Sequence, residues 1–115
     1  MNKPIEIEFT FLGKKHTAQF HKNTYVNNGN LYIGVLAWDE EYEYWEHWSD
    51  LTVNLSVPCK PNTAFIKTDC SGEEIIEALV KKGYATETGV MRCSGYCVYP
   101  MYEFTEEFLN GIDED

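Results

Sequence analysis

The chain has 115 residues, enough for one hydrophobic core and not for two, so a single domain over residues 1–115 is expected. Nineteen acidic against nine basic residues give a formal net charge of −10. Such a surface repels a phosphate backbone, which argues against direct DNA or RNA binding, and attracts a basic protein surface. Acidity also keeps a small protein soluble with no partner at all. Aromatic residues make up 15% of the chain, with eight tyrosines and three tryptophans, which favours a β-rich fold with some half-exposed rings. Met1-Asn2-Lys3-Pro4-Ile5 leads straight into alternating residues without an apolar run for a signal or a membrane span. The expected location is therefore the cytoplasm, with no membrane partner. In that compartment Cys59, Cys70, Cys93 and Cys97 read as thiols or metal ligands rather than disulfides.

In chain order, Ile5, Ile7, Phe9 and Phe11 alternate with polar residues and predict a half-buried strand. A turn at Gly13 returns a second strand over 16–22, with Ala18 and Phe20 inward. Asn28-Gly29 marks a tight turn, and the apolar run Leu31 to Trp38 predicts a central strand buried on both faces. Asp39 to Ser49 reads as an exposed loop or extended hairpin. Leu51, Val53 and Leu55 point inward from a strand over 50–55, and 63–68 forms a fifth strand. Ser71 as N-cap with Glu74 as its capping-box partner opens a helix whose Ile75, Ile76, Leu79 and Val80 make one apolar stripe. Gly83 ends it. After a Gly-bearing segment, Val98 to Phe104 is the last strand, placed at a sheet edge by Pro100. Thr105 caps a short helix through Leu109, and 111–115 is expected to be a frayed acidic tail. The fold class is therefore α+β: an antiparallel sheet of about five to six strands, one amphipathic helix packed on a face, and a short C-terminal helix.

Two segments could carry chemistry. Residues 39–50 hold six carboxylates and five aromatic or imidazole rings. Carboxylates flanked by large rings imitate the charge and stacking of a nucleic-acid strand and suit a basic groove. The candidate partner-binding residues are Glu41, Glu43, Tyr44, Trp45, Glu46, Trp48 and Asp50. The competing reading is a solvated hairpin whose rings pack back on the sheet. The second segment is Cys93-Ser94-Gly95-Tyr96-Cys97, which, with Cys59 and Cys70, suggests one structural zinc held by four thiolates. Ordinary free or buried thiols are the alternative, since only one tight cysteine pair exists. No P-loop, dinucleotide fingerprint, His-Glu-x-x-His or nucleophile elbow occurs, and the chain is not expected to be an enzyme.

Asn23 to Gly34, Asp50 to Leu55, Pro61 to Thr68 and Ser94 to Phe104, read together, resemble a bacterial family known as domain of unknown function 4313. The likeness spans most of the chain from Asn23 onward. It implies a short protein encoded on bacterial mobile elements or phages, with no assigned activity. Asp39 to Ser49 looks longer and more aromatic than the family's usual connection, and Cys59, Cys70 and Cys93 look like additions. Small acidic proteins of this setting are similar in size and charge to anti-CRISPR proteins, some of which occupy the basic channel of an RNA-guided nuclease. The expected function is thus an inhibitor that binds a basic, nucleic-acid-handling host defence protein of the Cas9 type. The alternative is a non-enzymatic accessory protein that binds a partner from the same mobile element.

Overall fold

The structure, a computed structural model, describes residues 4–69 and 71–114. Among the described residues, nine strands and two helices follow in the order β1 (Ile7–Phe11), β2 (Lys14–Thr24), β3 (Leu31–Asp39), β4 (Tyr44–Asp50), β5 (Thr52–Val53), β6 (Thr63–Ile66), α1 (Gly72–Lys81), β7 (Ala85–Ser94), β8 (Cys97–Phe104), α2 (Glu106–Asn110) and β9 (Asp113–Glu114). The fold is α+β with antiparallel sheets, and the strands divide between two of them. The first runs β1-β2-β3-β4, with β9 added in parallel to β2 where β1 leaves off; the second runs β5-β6-β8-β7.

Alternation in the first sheet sends Ile7, Phe9, Ala18, Phe20, Ile33, Val35 and Ala37 to one face, where all are buried. There they meet Ile66 and Phe104 of the second sheet and Ile75, Ile76 and Leu79 of α1, so one core serves both sheets. The join between the sheets is a single residue. Leu51, fully buried, donates its N–H to the Ile33 carbonyl (2.9 Å) and accepts at its own carbonyl from the Lys67 N–H (2.9 Å). The next residue, Thr52, accepts at its buried hydroxyl from the Ile33 N–H (3.2 Å) and lies 3.1 Å from the Tyr25 hydroxyl.

Several expectations change. β3 is the central strand but is buried on one face only: Tyr32 and Leu36 are half-buried and Trp38 is 37% exposed. The segment after the helix is a ten-residue strand, β7. Every residue of it beyond Ala85 is exposed, so no polar–apolar alternation announced it. Pro100 lies on an inner strand, since β8 sits between β6 and β7. The ladder accommodates it because pairing with β6 stops at Met101, and the β7 register shifts between Glu87 and Met91, next to Pro100. Ser71 does not cap α1 with its side chain; it takes φ 78° and its hydroxyl accepts from the Trp48 indole N–H (2.8 Å). The far end of α1 is as expected. Gly83, at φ 79°, donates to Val80, and Tyr84 donates to Leu79, closing the last turn.

Thr105 caps α2 by accepting from the Phe108 N–H (3.1 Å). Phe108 is fully buried against Phe20, Tyr84 and Phe104, and the Lys22 ammonium donates to the Leu109 carbonyl at the helix end. Beyond it, Asp113 and Glu114 pair with β2 instead of fraying, and Asp115, also part of the expected tail, lies outside the described residues.

Gly72, the first residue of α1, shows how tightly the helix start is held: a Cβ there would lie 1.7 Å from the Lys67 carbonyl oxygen. Glycine to alanine in a helix ordinarily gains about 1 kcal/mol. Here Gly72→Ala should instead lose roughly 1–3 kcal/mol, read as a lower urea midpoint with an unchanged m-value; an increase would contradict this contact.

Candidate binding face

β3 and β4 form a hairpin closed by residues 40–43. Asp39 organises it: its carboxylate accepts from the N–H groups of Glu41 (2.9 Å) and Tyr42 (3.1 Å), and its carbonyl accepts from Glu43 (2.8 Å). Glu43 closes the turn at φ 54°, a left-handed conformation unfavourable for a residue with a Cβ.

Beyond the turn the register is Asp39↔Tyr44, Trp38↔Trp45, Ala37↔Glu46 and Leu36↔His47, then Val35↔Ser49 and Gly34↔Asp50. Trp48 is the extra residue of a bulge. The bulge decides which side chains share a face. Trp45 and Asp50 are an odd number of residues apart, and strict alternation would separate them. With the bulge, both lie on the face of the first sheet turned away from the core. There the Tyr32 hydroxyl donates to Asp50 (2.7 Å) and His47 lies 3.9 Å from the same carboxylate. Trp48 goes the other way, against Phe9, Phe11 and His16 and onto Ser71.

The expected contact residues are therefore split. Glu41 and Glu43 are on the exposed turn, and Trp45 and Asp50 are on the open face. Tyr44 and Glu46 lie on the core side of the hairpin's rim, their side chains 3.4 Å apart. The Glu46 carboxylate raises the Tyr44 phenol above its ordinary pKa, with desolvation and Asp39 adding to it, so the ring stays neutral in a negative field.

Trp38, absent from the sequence-based set, completes the open face. It meets Trp45 edge to face with centroids 5.3 Å apart. With Glu6 and Thr17 the two indoles line a shallow depression of about 380 Å3. Glu6 also accepts from Gln19 (2.9 Å). The signal for Trp38 was a partial period two: Leu31, Ile33, Val35 and Ala37 are aliphatic, whereas of the alternate positions Tyr32, Gly34, Leu36 and Trp38 only Leu36 is a large aliphatic residue. Gly34 belongs on that face because a Cβ would approach the His21 ring within 2.2 Å and the Tyr32 hydroxyl within 2.6 Å.

The charge on this hairpin is uncompensated in sequence. No lysine or arginine occurs between Lys22 and Lys60, a stretch that holds Asp39, Glu40, Glu41, Glu43, Glu46 and Asp50. Indole faces beside carboxylates suit a guanidinium or ammonium, which takes a cation–π contact and a charge-assisted hydrogen bond together.

The cysteines do not assemble comparably. Cys59 is half-buried, its thiol 3.3 Å from the Val57 carbonyl and raised in pKa by burial. Cys93 pairs with Val98 and Cys97 with Ser94 around the Gly95-Tyr96 turn, so the two exposed thiols fall on opposite faces of their hairpin. Among the described residues no three His, Cys, Asp or Glu side chains converge to hold a metal; Cys70 lies outside the described residues.

Turn strain at Glu43 yields a test. Glu43→Gly should stabilise the protein by about 0.5–1 kcal/mol, whereas Glu43→Gln, which removes the same charge, should leave the melting temperature unchanged. Equal shifts in the two variants would assign the effect to charge instead of backbone.

No helix among the described residues is long and apolar enough to cross a membrane. Neither a curated protein nor a solved structure matches the chain. The model of a domain of unknown function, DUF4313, matches residues 20–115, taking in both tryptophans of the open face and the whole second sheet, and the chain belongs to that family.

Proposed function

We propose that this chain acts by binding, as an acidic inhibitor of a basic, nucleic-acid-handling host defence protein in the bacterial cytoplasm, with a Cas9-type nuclease as the first partner class to test. The observation that carries the reading is the open Trp38–Trp45 pair beside Glu6, at the head of a hairpin with six carboxylates and no lysine or arginine. A channel built to hold nucleic acid offers lysine and arginine at spacings set by phosphates, with room for stacked rings. Rings and carboxylates on one sheet face meet both demands. In this reading the chain catalyses nothing; occupancy of the channel is the whole effect.

The test is a cleavage assay with purified nuclease–guide complex, adding the protein before or after target DNA. Inhibition confined to early addition is expected. Trp38→Ala with Trp45→Ala should weaken it by about 2 kcal/mol, on the order of thirtyfold. Folding should be preserved, because Trp38 is exposed and Trp45 only half-buried. Wild-type potency in that double variant would remove the tryptophan face from the mechanism. Failure to inhibit any nuclease tested, together with co-purification of a protein from the same mobile element, would move the function to an accessory role.

A further inference from the structure

The β7–β8 hairpin presents a second surface, remote from the tryptophans in sequence and built on the other sheet. Its register puts Glu87 beside Tyr102, Met91 beside Pro100 and Cys93 beside Val98. These pairs share the face that overhangs α1. Between hairpin and helix runs an open groove of about 300 Å3, with Ile76 of α1 among its lining residues. Its apolar wall is incompletely covered: Met91 is 58% and Val98 51% exposed. Glu73 and Glu77 of α1 and Glu87 of β7 supply the charge along it. Among the described residues, no lysine or arginine lines it. The Tyr102 phenol registers this field, its pKa raised by burial and then by Glu87, Glu77 and Glu73. β7 is also the outer strand of its sheet.

We propose that this groove docks an extended basic segment of a partner protein, whose aliphatic side chains rest on Met91, Val98 and Tyr102 while its lysines or arginines meet Glu73, Glu77 and Glu87. Charge selects this occupant over a second copy of the chain: self-association across the groove would set these glutamates against their own copies, in a protein of net charge −10. An apolar strip with a one-sign rim is the pattern that reads an alternating basic–aliphatic segment, the strip supplying affinity and the rim supplying choice of partner. The site does not depend on the tryptophan face.

The experiment titrates the isotope-labelled full chain with a short synthetic peptide alternating arginine and leucine, and with the same peptide carrying glutamate for arginine. Saturable amide shifts at Ile76, Met91, Val98 and Tyr102 are expected with the basic peptide and not with the acidic one. Met91→Glu with Val98→Glu, both at exposed positions, should weaken binding by about tenfold or more. Trp38→Ala with Trp45→Ala should change the affinity read at the groove amides by less than about twofold. Four results would overturn the proposal: no binding, shifts confined to the tryptophan face, equal binding of the acidic peptide, or full affinity in the Met91→Glu, Val98→Glu variant. Groove shifts that depend on protein concentration without peptide would assign the surface to a second copy and overturn it as well.

Discussion

Leu51 is the constraint on which the rest of the structure turns. Its backbone is bonded to Ile33 of the first sheet on one side and to Lys67 beside the second on the other, and its side chain is wholly buried. A strand that ends at Asp50 and resumes at Thr52 in another sheet leaves no slack for a loop. The two sheets must therefore meet face to core at a fixed angle, and α1 fills the space they leave along β1 and β7. Because the core lies on that side, the opposite face of the first sheet carries Tyr32, Trp38, Trp45 and Asp50 with no layer of the described residues above it. The open face follows from where the chain turns.

The β4 bulge is the second determinant, and it acts on the same strand a few residues earlier. It adds Trp48 to the strand and sends it inward, where its indole N–H satisfies the hydroxyl of Ser71, a buried polar residue held at positive φ. That bond ties the hairpin to the start of α1 and fixes the hairpin's rotation. One tryptophan thus serves as an anchor to the body, and the other two are left paired edge to face on the open side. Removing the extra residue would reverse the face of everything between it and the turn.

Much of the fold was legible in the residues. Alternation in β1 and β2, the apolar run of β3, the α1 stripe at Ile75, Ile76 and Leu79 with its closing Gly83, and the Thr105 cap all express local rules that the structure obeys, whereas Val80, expected in that stripe, is 42% exposed. The division into two sheets was not legible, because it depends on Leu51 pairing at long range, and a strand that changes sheets looks in sequence like one continuous strand. β7 was hidden for a different reason: a strand with both faces in solvent has no pattern to show. The acidic-aromatic segment stands out in composition, and its residues could not be sorted onto faces without the bulge. The bulge turns Trp48 inward onto Ser71, and Trp38, at the end of an apolar run, looked in sequence like core. The cysteine spacing suggested convergence, whereas a two-residue turn with Gly95 at φ 62° places Cys93 and Cys97 on alternate faces.

On the proposed reading, positive charge is recognised by Trp38 and Trp45 and not by acidity in general. The three indole N–H resonances provide the reading, with Trp48 as an internal reference because its N–H is already bonded to Ser71. The labelled protein would be titrated with triarginine amide at low and at moderate salt. Saturable movement of the Trp38 and Trp45 indole signals, weakened by salt, is expected for the proposed contact, with the Trp48 signal still. Equal movement of all three, or of none while carboxylate-flanked backbone amides shift throughout the chain, would contradict it.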